Sequence, residues 1–133
     1  MVVGVLLIVA IPVSMIVSEV MERSGKKRRA RARLSDITKI DLWRARSALW
    51  NQEKDERVVV TDPSSLKEMM DSLSLTSKSP CGCAHFEGAD FYKEDGEFVR
   101  VSICSHCFSM GGNEGEFEMP GSFYRQFASR MKH

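Results

Sequence analysis

The chain has 133 residues, with 19 lysines and arginines against 18 aspartates and glutamates, and this length predicts one globular domain. Seven of the basic residues lie between Arg23 and Arg33, whereas from Leu34 onward 16 acidic residues outnumber 12 basic ones. A nucleic-acid-binding domain carries its basic surface on the folded part of the chain, so this distribution counts against nucleic acid as a partner and favours lipid phosphates.

The first predicted element is an apolar segment, Val2–Val17, which contains no charged residue. A helix of this length spans about 24 Å, and extension to Met21 brings it close to the roughly 30 Å of a bilayer core. We therefore predict a transmembrane anchor over residues 1–21. A cleaved signal peptide and a core helix are the alternatives, but no basic residue precedes Val2 and no Ala-x-Ala cleavage site follows, as a signal peptide would require.

A basic segment follows within residues 22–35, which we predict to be a juxtamembrane linker. Its charged part, Lys26–Arg33, is called the basic collar here, and its basic residues are Lys26, Lys27, Arg28, Arg29, Arg31 and Arg33. The positive-inside rule then places the C-terminal domain in the cytoplasm. Each basic residue beside an anionic leaflet contributes about 1 kcal/mol, so the lipid bilayer is the predicted partner of both the apolar segment and the basic collar.

Residues 36–133 predict one compact α+β domain, an antiparallel sheet of about five strands with two helices. Alternating or apolar patterns predict the strands, which are Ile37–Arg44, Arg57–Thr61, Phe86–Lys93, Glu97–Cys104 and Glu116–Met119. The mainly polar residues Ser47–Arg57 are predicted to form a loop.

The first helix of this domain has the clearest start, because Asp62 is a preferred N-cap and Pro63 suits the first helical position. Apolar residues recur at i, i+3, i+4 and i+7, which predicts one buried face formed by Leu66, Met69, Met70 and Leu73. The second helix is predicted to begin around residues 120–122 and to bury Phe123, Phe127 and Met131.

The strands on either side of Glu94–Gly96 predict a hairpin. A three-residue loop with Gly96 in the left-handed conformation pairs Val99 with Phe91, which places apolar residues on one face of the hairpin. We expect Asp90 to lie in solvent on the other face.

The four cysteines form two close pairs, Cys81-Gly82-Cys83 and Cys104-Ser105-His106-Cys107, on either side of the hairpin. Continued in the same register, the hairpin would place Cys83 opposite Cys107. Zinc favours four thiolate or imidazole ligands in a tetrahedron, so the cluster is a candidate zinc site whose predicted ligands are Cys81, Cys83, Cys104 and Cys107. His85 and His106 could each replace a thiolate, although a surface position is the expectation for both.

Other interpretations of the cluster stay open. A disulfide would require an oxidising compartment, and the register favours a bridge between Cys83 and Cys107. The thiols could also be reduced and packed without a ligand. Finally, the Cys104–Cys107 sequence resembles the Cys-x-His-Cys active-site motif of some thioredoxin-like oxidoreductases, which implies thiol–disulfide exchange by Cys104 and Cys107. That family places the motif at the start of a helix, whereas residues 108–112 are a poor helix start.

The stretch from Cys81 to Cys107, with Ile103 before Cys104, is similar to small bacterial proteins of unknown function that carry Cys-x-Cys, a hairpin and Ile-Cys-x-x-Cys. This resemblance implies no activity.

The sequence contains no Gly-rich phosphate loop, no Gly-x-Ser-x-Gly and no His-Glu-x-x-His. We therefore hypothesise a membrane-tethered, non-catalytic domain, an accessory or interaction subunit of a membrane complex with a protein partner, braced by a cysteine cluster that could hold zinc. The alternatives are a thiol–disulfide redox protein using Cys104 and Cys107, and an exported domain stabilised by disulfides.

Overall fold

The computed structural model describes residues 25–45, 56–77, 82, 85–111 and 115–131. In chain order the helices and strands of this part are α1 (25–33), β1 (Ile37–Arg44), β2 (Glu56–Val60), α2 (Pro63–Asp71), β3 (Glu87–Lys93), β4 (Phe98–Ile103), β5 (Cys107–Gly111), β6 (Gly115–Glu118) and α3 (Gly121–Arg130). The strands form one antiparallel sheet in the order β2-β1-β3-β4-β5-β6. The predicted α+β class is confirmed, and the described residues form six strands and three helices where about five and two were expected.

The predicted transmembrane anchor, residues 1–21, lies outside the described residues, as does most of the predicted loop at 47–57. Among the residues that the structure describes, no helix is both long enough and apolar enough to cross a membrane. Helix α1 lies within the predicted linker at 22–35. Two apolar side chains of this segment belong to the hydrophobic core, Ala30 in the helix and Leu34 just after it. The basic collar is therefore helical and packs on the domain.

The hairpin of β3 and β4 has the register that the sequence predicts, with Val99 opposite Phe91. The Gly96 N–H donates to the Lys93 carbonyl oxygen at 3.0 Å, and the Lys93 N–H donates to the Glu97 carbonyl oxygen at 2.8 Å. Gly96 has a φ of 90°, a left-handed conformation in which a side chain would be strained. The predicted three-residue loop is therefore confirmed.

Asp62 caps helix α2 as predicted. Its carboxylate accepts hydrogen bonds from the Ser64 hydroxyl at 2.7 Å and from the Ser65 N–H at 3.0 Å. Because these donors stabilise the charged form, they lower the pKa of the Asp62 carboxyl. The cap therefore stabilises α2 above the ordinary pKa of an aspartate, and this contribution is lost as the pH falls through the lowered pKa. On the inner face of α2, Leu66 and Met69 are buried, as the apolar spacing predicts.

One core joins the helices to one face of the sheet. Phe123 on α3 lies against Phe91 on β3 and Phe108 on β5, with ring centroids 6.2 and 5.7 Å apart. Phe127 and Met131 are also fully buried, so the predicted inner face of this helix is confirmed. Aromatic pairs at these separations add to the stabilisation that comes from burying apolar surface.

Strand β5 is the strand that the sequence did not predict. The chain reverses after β4 through a two-residue turn at 105–106, and Phe108 then pairs with Ile103 on one side and with Phe117 on the other. The sequence analysis identified residues 108–112 only as a poor helix start and assigned no strand to them. Pairing with strands on both sides compensates for this weak local preference, since strand formation depends mainly on packing against neighbours.

Asp90 is fully buried on the face opposite the core, so the expectation of a solvated position was wrong. Its carboxylate accepts two hydrogen bonds from the Arg100 guanidinium, at 2.9 and 2.8 Å, and one from Trp43 Nε1 at 3.1 Å. Arg57 Nη1 lies 3.8 Å from the same carboxylate. Strand alternation correctly separates Asp90 from the apolar face, but it cannot show which side chains cover the second face.

Trp43 reaches Asp90 because its neighbour on β3 is a glycine. Gly88 lies opposite Trp43, and a Cβ added at Gly88 would overlap the Trp43 ring and the carbonyl oxygen of Val101. The Arg100 guanidinium lies 5.6 Å from the centroid of the buried Trp43 ring, within the range of a cation–π contact. The second face of the sheet is therefore a packed polar and aromatic layer at this point.

Replacing Arg100 with leucine should lower the free energy of unfolding by on the order of 3 kcal/mol, because the buried Asp90 carboxylate would lose its bidentate partner. Equilibrium unfolding in urea measures this change. Lys67→Gln is the matched control, since it breaks an exposed 2.7 Å ion pair with Asp71 and should change stability little. Similar losses of unfolding free energy in the two variants would contradict a stabilising role for the buried pair of Asp90 and Arg100.

Candidate metal centre

The two-residue turn between β4 and β5 has a cysteine at each end. The Cys104 N–H donates to the Cys107 carbonyl oxygen at 3.0 Å, which closes the turn. Within the turn, the His106 N–H donates to Cys104 Sγ at 3.4 Å. The Met119 N–H donates to the His106 carbonyl oxygen at 3.0 Å, so the chain that leaves β6 also holds the turn in place.

His85 approaches this turn from the segment before β3. Its Nδ1 lies 3.0 Å from the Ser102 hydroxyl oxygen. Ser102 is on β4, where it pairs with Gly88 on β3 and with Ser109 on β5. The imidazole is therefore attached to the sheet beside the turn, and metal-bound histidines commonly use their second ring nitrogen for such a hydrogen bond.

The side chains of His85, Cys104 and Cys107 meet at the end of the sheet. One imidazole nitrogen and the two sulfurs all lie within 4.8 Å of one another. In a tetrahedral zinc site, Zn–S and Zn–N bonds of about 2.3 and 2.0 Å place neighbouring ligand atoms roughly 3.5 Å apart. Cys107 is buried and the other two residues are half-buried, which limits access of water to the group.

The structure brings together two of the four predicted ligands, Cys104 and Cys107. The other two, Cys81 and Cys83, lie outside the described residues. The predicted position of Cys83 opposite Cys107 assumed that both strands of the hairpin continue unbroken. Instead β4 ends at the turn, and Cys107 belongs to β5, where it pairs with Glu118 on β6. The chain reversal therefore changes the partner of Cys107, although the hairpin register itself was predicted correctly.

The two histidines of the cluster have different surroundings. His85 belongs to the group of three, whereas His106 is exposed and its Nδ1 lies 3.1 Å from the Ser105 hydroxyl oxygen. The expected surface position holds for His106 and not for His85. The signal that could have separated them is the alternate-residue spacing Cys81-x-Cys83-x-His85, which continues the cysteine pattern to the histidine.

Comparisons with family models, curated proteins and solved structures found no match to this chain. The chemistry of the site is therefore inferred from its own residues. Two thiol sulfurs and an imidazole are ligands that suit zinc and other soft metals. Within the described chain, no disulfide joins Cys104 to Cys107. The geometry defines a group of three side chains, His85, Cys104 and Cys107, that could hold a metal ion.

Replacing His85 with alanine should lower the zinc affinity of the full chain by more than about 100-fold, because one of the three candidate ligands is lost. Ser102→Ala removes only the hydrogen bond to the imidazole and should lower the affinity by roughly 10- to 100-fold. Competition with a chromophoric chelator measures both effects. His106→Ala is the matched control and should bind zinc as the unmodified chain does. Equal losses for the two histidine variants would place the site elsewhere.

Proposed function

We propose that this protein is a membrane-tethered, non-catalytic domain, braced by one zinc ion, that serves as an accessory or interaction subunit of a membrane complex. The observation that supports the zinc is the approach of His85, Cys104 and Cys107 to within 4.8 Å. The tether rests on the apolar segment Val2–Val17 and on the basic collar after it, which favours a cytoplasmic domain.

A structural zinc ion has four protein ligands, one more than the group of three provides. Cys83 precedes His85 by two residues, so chain connectivity alone keeps their Cα atoms within about 7 Å of each other. Cys81 precedes Cys83 by two residues, and Gly82 between the cysteines has a φ of 58°, which suits a tight turn. We propose that a thiolate of Cys81 or Cys83 completes the tetrahedron.

The proposed zinc would join three parts of the sheet at this end. They are the entry to β3, the end of β4 and the start of β5. Strands β4 and β5 pair at only two positions, Ser102 with Ser109 and Ile103 with Phe108. A metal ion bound across the turn would therefore hold β5 and β6 to the rest of the sheet, and its binding free energy would contribute directly to folding.

The thiol–disulfide alternative has less support from the same geometry. In thioredoxin-like oxidoreductases the motif begins a helix, whose N-terminus stabilises the reactive thiolate. Here Cys107 begins strand β5, and in the described chain no helix starts at this turn. An exported, disulfide-stabilised domain would need an oxidising compartment, whereas the basic collar favours the cytoplasmic side.

Removing the metal should lower the melting temperature of the full chain by more than about 10 °C, because structural zinc contributes on the order of 10 kcal/mol to folding. Thermal unfolding followed by circular dichroism, with and without a strong chelator, measures this shift. Cys107→Ser should show the same loss of melting temperature and no further response to chelator. Ser105→Ala, in the same turn, should respond to chelator as the unmodified chain does.

Destabilisation by a reductant but not by a chelator would establish a disulfide instead. Reversible thiol oxidation with unchanged stability would establish the redox alternative.

The full chain should remain with membranes after a carbonate wash, because Val2–Val17 is apolar and long enough to insert. Leu7→Arg combined with Ile11→Arg should release it, since each arginine costs roughly 2.5 kcal/mol or more at the centre of a membrane helix. The pair Leu7→Ala and Ile11→Ala is the control and should stay bound. Recovery of the unmodified chain in the soluble fraction would refute the tether, and a reporter after His133 that works only outside the cytoplasm would refute the topology.

A further inference from the structure

Helix α1 presents a strongly basic surface on a folded element. Residues 25–33 contain no acidic side chain. The arginines of the helix are all exposed: Arg28, Arg29, Arg31 and Arg33. Among the described residues, Arg28 and Arg31 form no ion pair with a carboxylate, so their charges are available to a ligand outside the chain.

The fold holds this basic surface rigidly. Ala30 and Leu34 are buried in the core, and the Leu34 N–H donates to the Ala30 carbonyl oxygen at 3.1 Å. The Ser35 hydroxyl donates to the Ala32 carbonyl oxygen at 2.7 Å, and Asp36, with a φ of 55°, turns the chain into β1. Only three residues separate α1 from the sheet, so the helix cannot reorient without losing its core contacts.

The two flanks of α1 face different surroundings. At about 100° per residue, Arg28 and Arg31 are roughly 60° apart, and Arg33 is roughly 140° or more from both. Arg33 lines a cleft of about 160 Å³ together with Glu97 and Phe98 of the β3–β4 hairpin. The exposed acidic residues of that hairpin are Glu94, Asp95 and Glu97. The flank of Arg28 and Arg31 therefore faces away from the acidic hairpin.

We propose that the flank of α1 formed by Arg28 and Arg31 docks on the phosphates of an anionic lipid leaflet, while the acidic hairpin is repelled from it. The domain then lies on the membrane in one orientation. This docking surface deepens the tether of the proposed function, and Arg28 lies seven residues after the predicted anchor ends at Met21, so the leaflet lies within its reach. A nucleic acid offers similar phosphates, but the excess of acidic residues from Leu34 onward would repel it.

Residue-resolved arginine modification tests this docking on the full chain reconstituted into vesicles. The chain is treated with phenylglyoxal, and the rate at each arginine is read by mass spectrometry. With phosphatidylserine in the vesicles, Arg28 and Arg31 should each react roughly fivefold more slowly than in pure phosphatidylcholine. Arg33 should change little, and Arg125, exposed on α3, is the internal reference. Salt at about 0.5 M should cancel the protection, because it screens exposed charges.

The pattern of protection separates an oriented domain from a flexible charged linker. Equal protection of all arginines of the basic collar, including Arg33, would overturn the oriented docking, and so would protection of none. Stronger protection by a single-stranded RNA without vesicles would assign the surface to nucleic acid instead. A chain that does not insert, yet shows protection of Arg28 and Arg31 when phosphatidylserine vesicles are added, would refute the tether and support the docking surface.

Discussion

The ion pair between Asp90 and Arg100 is the interaction on which the arrangement of the sheet depends. A fully buried carboxylate is stable only where a partner meets it, and Arg100 meets it from the directly opposite position on β4. A shift of β4 by one residue would remove this partner and would also turn the apolar side chains of β4 away from Phe91 and the core. The pair therefore favours one register of β3 and β4, and the core and the end of the sheet follow from that register.

The candidate metal centre depends on the same register. Ser102 lies two residues beyond Arg100 on the same face of β4, and there it contacts the imidazole of His85. The turn that follows β4 then places Cys104 and Cys107 beside that imidazole. The three side chains thus meet because the strands and the turn position them. Ligands that are already positioned lower the entropic cost of binding.

The position of α1 determines how the proposed tether would orient the domain relative to the membrane. A flexible linker would let the domain sample many orientations relative to a membrane, whereas a helix held in the core by Ala30 and Leu34 transmits its own orientation to the sheet. Basic charge on α1 and acidic charge at the hairpin tip lie at different places on the same folded unit. For an interaction subunit, a fixed orientation would present one surface to a partner and reduce the freedom lost on binding.

The sequence by itself determined the elements whose causes are local. The cap at Asp62 and the loop closed by Gly96 depend on neighbours within a few residues, and the α+β class follows from such elements. Only the tertiary structure decided strand β5, the burial of Asp90 and the position of His85 beside Cys104 and Cys107. Asp90 is covered by Trp43, which is 47 residues away in sequence, and two of the four predicted metal ligands meet a histidine that was expected at the surface. The physical reason is that a pattern along one strand shows which residues share a face, whereas burial and ligand geometry depend on what other elements bring to that face.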